Sequence, residues 1–226
     1  MDTLRLRVVV VGASVVLQAL MPAAQAASPS PSASAEAPGS AQSARLVSQI
    51  AARLGQASGV RARFTQTQIR AALKQPLISS GSLLLMRGRG VSWHIETPYQ
   101  ATYLITDAGV SEVNAAAQRG GSSPHGARGV AEVSRMIRAM LGGDLSALYS
   151  QFDVRATGTP AQWRMQLTPN QPQLAQAIKN LQMNGGSYLR SLNITLANGD
   201  VTTLDFSDST TVTDLTSAEQ QLFGAP

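Results

Sequence analysis

Two histidines, three aspartates on one hairpin and a serine flanked by glycines are the residues of this 226-residue chain whose types could do chemistry. His94 lies between Trp93 and Ile95 in a strand-like segment, so its ring points to the face opposite theirs, and His125 lies in a Gly/Ser-rich stretch. Neither has a partner at a metal-ligand spacing such as His-x-x-x-His or a carboxylate pair within one turn, so both read as solvent-facing imidazoles and no metal site is expected. Asp200, Asp205 and Asp208 share a hairpin, but Asp205 sits between the inward candidates Leu204 and Phe206 and is sent to solvent. Asp144 and Glu219 stand where helix caps are needed. Gly55-Gln56-Ala57-Ser58-Gly59 has the wrong spacing for a Gly-x-Ser-x-Gly nucleophile elbow, and no P-loop or Gly-x-Gly-x-x-Gly run occurs. The expectation is a protein with no catalytic residue and no cofactor.

The elements that would position these groups are mostly strands. Leu46, Ile50 and Leu54 recur at helical spacing before Gly55 and Gly59, which predicts an amphipathic first helix. Val60 to Ile69 alternates, and strands are expected over Leu77 to Arg87, Val91 to Thr97 and Ala101 to Thr106, the last two stopped by Pro98 and by Asp107-Ala108-Gly109. Short turns between them imply an antiparallel meander. Ala115 to Gly129 reads as a loop. A helix follows with Val130, Val133, Ile137, Met140 and Leu141 on one face, ended by Gly142-Gly143, and Asp144 opens a short second helix to Leu148.

Strands resume with Phe152, Val154 and Ala156, then Trp163, Met165 and Leu167, across Gly158-Thr159-Pro160. Leu174, Ile178 and Leu181 predict a short helix over Pro172 to Leu181. Leu192, Ile194 and Leu196 lead into Asn198-Gly199, and Thr202, Leu204 and Phe206 leave it, the pattern of a hairpin with a two-residue primed turn. Thr216 and Glu219 are spaced as a capping box for a terminal helical turn holding Leu222 and Phe223.

These elements give an α+β, mainly β class: a curved antiparallel sheet whose apolar face short helices cover only in part. The uncovered volume becomes a cavity. Met136, Met140, Met165 and Met183 read first as core packing and second as adaptable contacts for an apolar ligand.

At the N-terminus, Arg5 and Arg7 precede an apolar run from Val8 to Leu20 and an Ala24-Gln25-Ala26 site, which reads as a signal peptide over residues 1–26 cut near Ala26. A membrane-spanning helix needs ~20 apolar residues, and this run is shorter. Ala27 to Ala44, built from Ala, Ser and Pro, reads as a disordered tether, and residues 45–226 as a single domain. With no cysteine in the chain, an exported protein must draw its stability from core and backbone pairing. Taking Asp2, Arg5 and Arg7 from the 18 basic and 13 acidic residues leaves 16 and 12, a mild excess. The basic residues do not interleave with aromatics as a nucleic-acid surface requires, so no nucleic acid is expected as a partner.

Gly81-Ser-Leu-Leu-Leu-Met-Arg87 followed by Trp93-His-Ile-Glu-Thr-Pro98 resembles the Gly-x-Leu-x-Val-x-Arg and Trp-x-x-x-x-Pro pattern of LolA, the periplasmic carrier of outer-membrane lipoproteins. Phe64-Thr65-Gln66 is similar to that family's Phe-x-Gln, and Ile105-Thr106-Asp107 to its Val-x-Asp-Gly turn with Ala108 intervening. The chain departs from the pattern at Gly88, where the family has proline, and at Val110 and Val113, where it has aromatics. The Gly143-Asp144-Leu145 and Trp163-to-Pro169 segments look more like LolA relatives found with acyltransferase and lipid-exporter systems.

The resemblance implies an incomplete antiparallel β-barrel, a half-barrel, covered by a lid of short helices. It implies a lipid cavity lined by Phe64, Leu83, Leu85, Val91, Trp93, Ile95, Ile137 and Met140, with Arg87 pointing inward as the latch of the lid. It further implies a monomeric periplasmic carrier that shuttles an acylated lipoprotein or lipid from an inner-membrane exporter to an outer-membrane acceptor. A non-transporting lipid-binding or sensor module on the same fold is the alternative, and a periplasmic hydrolase is disfavoured by the empty catalytic inventory.

Overall fold

The computed structural model describes residues 38–106, 109–113 and 148–224. The expected signal peptide, the helix from Val130 to Leu141 with Ile137 and Met140, and the loop before it lie outside the described residues.

Helix α1 runs Pro38–Leu54, followed by β1 (Gly59–Ile69), β2 (Leu77–Met86), β3 (Gly90–Thr97), β4 (Ala101–Thr106) and β5 (Gly109–Glu112). After the undescribed segment come β6 (Phe152–Thr159), β7 (Gln162–Pro169), the single turn α2 (Pro172–Ala175), β8 (Ile178–Gly185), β9 (Leu189–Leu196), β10 (Val201–Thr211) and α3 (Ser217–Phe223). All strands join one antiparallel ten-stranded sheet in the order β5-β4-β3-β2-β1-β10-β9-β8-β7-β6. The sheet does not close on itself. It is two meanders joined where the first strand meets the last, so the two halves are formed by separate stretches of sequence.

Alternation decides which side chains face inward. Register places Val60, Leu85, Val91, Ile105 and Val110 in one cross-strand row, and Ala62, Leu83, Trp93 and Tyr103 in the next. In the other half Trp163, Met165 and Leu167 pair with Gly185, Met183 and Leu181. Apart from Val60, Ala62 and Gly185, these inner residues share one hydrophobic core with Leu46, Val47, Ile50 and Leu54 of α1, so the sheet curls around that helix. Ser43 Oγ accepts a hydrogen bond of 2.7 Å from the backbone N–H of Ala156 on edge strand β6. An edge N–H that would otherwise invite pairing with another chain is thereby satisfied.

Three sequence expectations change. The first helix begins at Pro38, ahead of the expected tether boundary at Ala44. Proline suits a first helical turn, because the N–H it lacks would have no partner there, and Ser43, inside the expected tether, is held by a tertiary bond to Ala156 that composition does not reveal. The helix expected over Pro172 to Leu181 stops at Ala175, and Ile178 and Leu181 belong to β8. A bulge between Ile178 and Asn180 places two residues, not one, between these inward side chains, and the resulting interval of three imitates a helical period. Asn198-Gly199 does mark the β9–β10 turn, but Gly199 takes φ +88 while Asn198 is not at positive φ. Gly199 N donates to Leu196 O and Leu196 N to Asp200 O, which makes a three-residue loop with glycine at the left-handed position in place of a primed turn.

Among the described residues the outer face is thinly covered. Leu84, Ser92 and Leu104 form a buried outward row opposite Arg61. Helix α3 meets β3, and its Glu219 pairs with Arg61. Thr216 caps α3 as expected: its Oγ1 accepts from Glu219 N, and its own N–H donates to Glu219 Oε2. His94 lies outward as expected, with Nδ1 2.8 Å from Thr102 Oγ1, and Asp205 is exposed.

Candidate lipid cavity

The signature segment acquires a physical meaning in the sheet. Gly81 stands opposite Phe64, and a Cβ on it would overlap the His94 carbonyl, because a register shift between Ser80 and Gly81 presses β3 close. No other residue fits there. The Phe64 ring lies 4.1 Å from that of Trp93, centroid to centroid, at 34°. Both rings are buried, and together they make the floor on which the cavity rests.

Above this floor lies a cavity of about 530 Å³ between the C-terminal half of α1 and the inner face of the sheet. Leu83 and Leu85 of β2 and Val91 and Trp93 of β3 line it, beside Val60 and Ala62 of β1. Four of the expected lining residues thus come together. Phe64 and Ile95 lie deeper, in the core that supports them. Ile137 and Met140 fall outside the described residues.

Other walls come from elements whose part was not legible in the sequence. Phe206, Ser209 and Thr211 of β10 close one side, and Met183 and Leu189 approach from β8 and β9. The β8–β9 turn is bent down onto the cavity by Trp163, whose Nε1 donates to Gly186 O at 3.0 Å. A Cβ on Gly185 would stand 2.6 Å from the Trp163 ring, and one on Gly186 would stand 2.5 Å from Ala161 O, so both glycines are required by close approach. The Gly185-Gly186 pair is the signal that could have located this turn. It delivers Ser187 and Tyr188 to the rim, where the Tyr188 hydroxyl meets Thr211 Oγ1 at 2.8 Å.

Arg87 is not on the inner face. It is exposed in the turn after β2, its N–H donates to Ser58 O, and its Nη2 donates to Ala57 O at 3.0 Å. The alternation that pointed it inward ends at Met86, and Gly88 turns the chain away at φ +73, a conformation closed to the proline of the family pattern. The acceptor is a backbone carbonyl, but it belongs to the α1–β1 connection. Ala57 itself lines the cavity.

The cavity's polar groups gather on the α1 side and at the β8–β9 turn. Arg53, in the last turn of α1, donates from Nη2 to Ser187 Oγ at 3.1 Å, and Gln49 and Gln56 flank it. No acidic residue is among the described side chains that line the cavity. On the inner face of β4, burial pushes the Tyr103 phenol above its ordinary range, with the Glu112 carboxylate adding to the shift. Among the described residues no three His, Asp or Glu side chains are grouped to hold a metal.

Among the described residues, then, a curled antiparallel sheet and α1 enclose an apolar hollow. The chain belongs to the family described as outer membrane lipoprotein carrier protein LolA-like, whose model matches residues 38–222. No curated protein sequence matches it significantly. Among solved structures it is similar to a LolA superfamily protein, NE2245 from Nitrosomonas europaea, at 8% identity and a TM-score of 0.44, covering 80% of this chain and 97% of that one. LprF from Mycobacterium bovis matches at 11% identity and a TM-score of 0.41, covering 78% and 97%. The Pseudomonas aeruginosa MucA/MucB complex matches at 11% identity and a TM-score of 0.45, covering 82% of this chain and 61% of the matched chain, so the present chain spans about three fifths of that relative.

Proposed function

We propose that this protein is a periplasmic carrier that holds the acyl chain of a lipoprotein or related lipid in the cavity and moves it from the inner towards the outer membrane. The observation that supports this most is the hollow itself, about 530 Å³ walled by Leu83, Leu85, Val91 and Trp93. Its size falls within the ~300–1,000 Å³ of small-ligand sites. Each methylene buried there is worth ~0.8 kcal/mol, so a chain of modest length is held firmly without any covalent step. Membership of the LolA-like family supports the same reading, and residues 1–26 read as the export signal. An inner-membrane exporter would load the carrier and an outer-membrane acceptor unload it. Directional relay then requires the acceptor to bind the cargo more favourably.

In this reading Arg87 remains the latch, acting on the rim. Its bond to Ala57 O joins the β2–β3 turn to the chain leaving α1, so the rim loosens when that bond is lost. Arg87→Leu is expected to retain fold and binding but to slow hand-over of a fluorescent acyl ligand between donor and acceptor vesicles. Wild-type transfer by this variant removes the latch from the proposal. Native mass spectrometry of protein isolated from the periplasm tests the larger claim: bound lipid or acylated peptide supports the carrier. Binding without any transfer between vesicles would point to a lipid-binding or sensor module instead.

A further inference from the structure

Among the described residues, the charge lining the cavity is one-sided. Between Ala37 and Ile95 the sequence contains no acidic residue, while it includes Arg53, Arg87 and Arg89. Arg53 is the one charged side chain among the described lining residues. Its guanidinium carries five donors in a planar fork, and the bond to Ser187 Oγ engages one nitrogen. Two further guanidiniums stand near. Arg87 is fixed on Ala57 O, and Arg190 Nη2 lies 3.4 Å from the place a Cβ would take on Gly186, beside Ser187. The described carboxylates that form ion pairs, Glu219 with Arg61 and Glu96 with Arg63, are committed to partners on the outer face. Asp208, though next to the lining residue Ser209, acts on Arg63 as well.

We infer that the cavity takes an anionic amphiphile, an acyl chain whose carboxylate or phosphate head is bound at the rim by Arg53 against the Ser187 hydroxyl. The inference rests on the acyl-chain reading above and narrows it. A neutral acylated group would leave the guanidinium fork unused, whereas a carboxylate or phosphate matches it with parallel charge-assisted hydrogen bonds. Gln49 and Gln56 on the helix side, and the hydroxyls of Tyr188 and Thr211 across the rim, supply further donors without placing a negative charge near the head.

Isothermal titration calorimetry of the purified protein, with probes kept below their micellar concentrations, tests it. Dodecanoate and dodecyl phosphate are expected to bind about tenfold or more tighter than dodecanol, as befits a hydrogen bond to a charged group. Raising the salt should narrow that preference and leave dodecanol unaffected. Arg53→Gln, checked to be folded by its thermal transition, should bring dodecanoate and dodecyl phosphate down to about the affinity of dodecanol, and Arg53→Lys should restore part of the preference. Equal binding of dodecanol and dodecanoate by the wild type overturns the inference but leaves the acyl cavity standing. If no dodecyl probe binds, both fail. Inorganic phosphate binding as tightly as dodecyl phosphate, or a preference that survives Arg53→Gln, also overturns it, since the anion is then a free ion or is held by another cation.

Discussion

The two halves of the sheet use the same pairing and the same alternation, yet one is solid and the other hollow. In the half built from β6 to β9, Met165, Leu167 and Leu192 are fully buried away from the cavity, and of the strand residues only Met183 and Leu189 reach its edge. In the half built from β1 to β5, and on β10 where the two halves meet, the inward Val60, Leu83 and Phe206 remain only half-buried and line the cavity. The difference lies in the helix. The apolar stripe of α1 presses into one half, while its flank, with Gln49 and Arg53, hangs over the other. The candidate site is core that was left unfilled, and its rigidity is supplied by the filled part.

The largest expected effect probes the solid half. Leu167→Ala should cost about 2–5 kcal/mol in urea unfolding, since transfer and cavity terms add, whereas Leu83→Ala should cost about 1 kcal/mol or less because little new void is made. Similar losses at both positions would erase the distinction. Enlarging side chains gives the converse experiment. Ala156→Phe on β6 should destabilise by about 1–3 kcal/mol through overpacking, while Ala62→Phe on β1 should be tolerated and instead abolish acyl-ligand binding.

The smallest effect should leave both halves alone. Thr216→Ala removes the cap of α3 on the outer face and should cost about 1 kcal/mol with ligand binding unchanged. It also carries a pH signature. Burial pushes the Glu219 carboxyl up, but hydrogen bonds from Thr216 and Arg61 outweigh it and hold the group below its ordinary 4.5. A depressed folded value means that the stabilisation is complete above the unfolded value and is lost as pH falls through the folded one. Thermal midpoints of the wild type should therefore drop more steeply below about pH 4.5 than those of the variant.

Much of this fold was legible because its grammar is local. Strands over Val60 to Ile69 and Ala101 to Thr106 follow from alternation and turn residues, and the capping box from a spacing of three. The places where sequence reasoning failed are those where a third residue far away decides. The β8 bulge counterfeits a helical interval, and Ser43 enters a helix because Ala156 needs an acceptor. The sheet wall of the cavity was legible, since Leu83, Leu85, Val91 and Trp93 are neighbours on adjoining strands. Arg53, Tyr188 and Phe206 were not, because they meet only when the last strand returns to the first, and no spacing along the chain encodes that closure. Arg87 was misplaced by extending an alternation one residue beyond the end of its strand.

The bore of a closed barrel is set by strand number and shear, and it cannot widen without breaking a ladder of hydrogen bonds. Among the described residues β5 and β6 end the sheet and do not pair with each other, so its curvature can relax while every ladder stays intact. Capacity then becomes an elastic property, limited by how far α1 lets the two arms spread, and the bond from Ala156 to Ser43 makes the helix travel with one arm. On the carrier reading proposed above, one chain of this design would grip cargoes of unequal girth with the same walls.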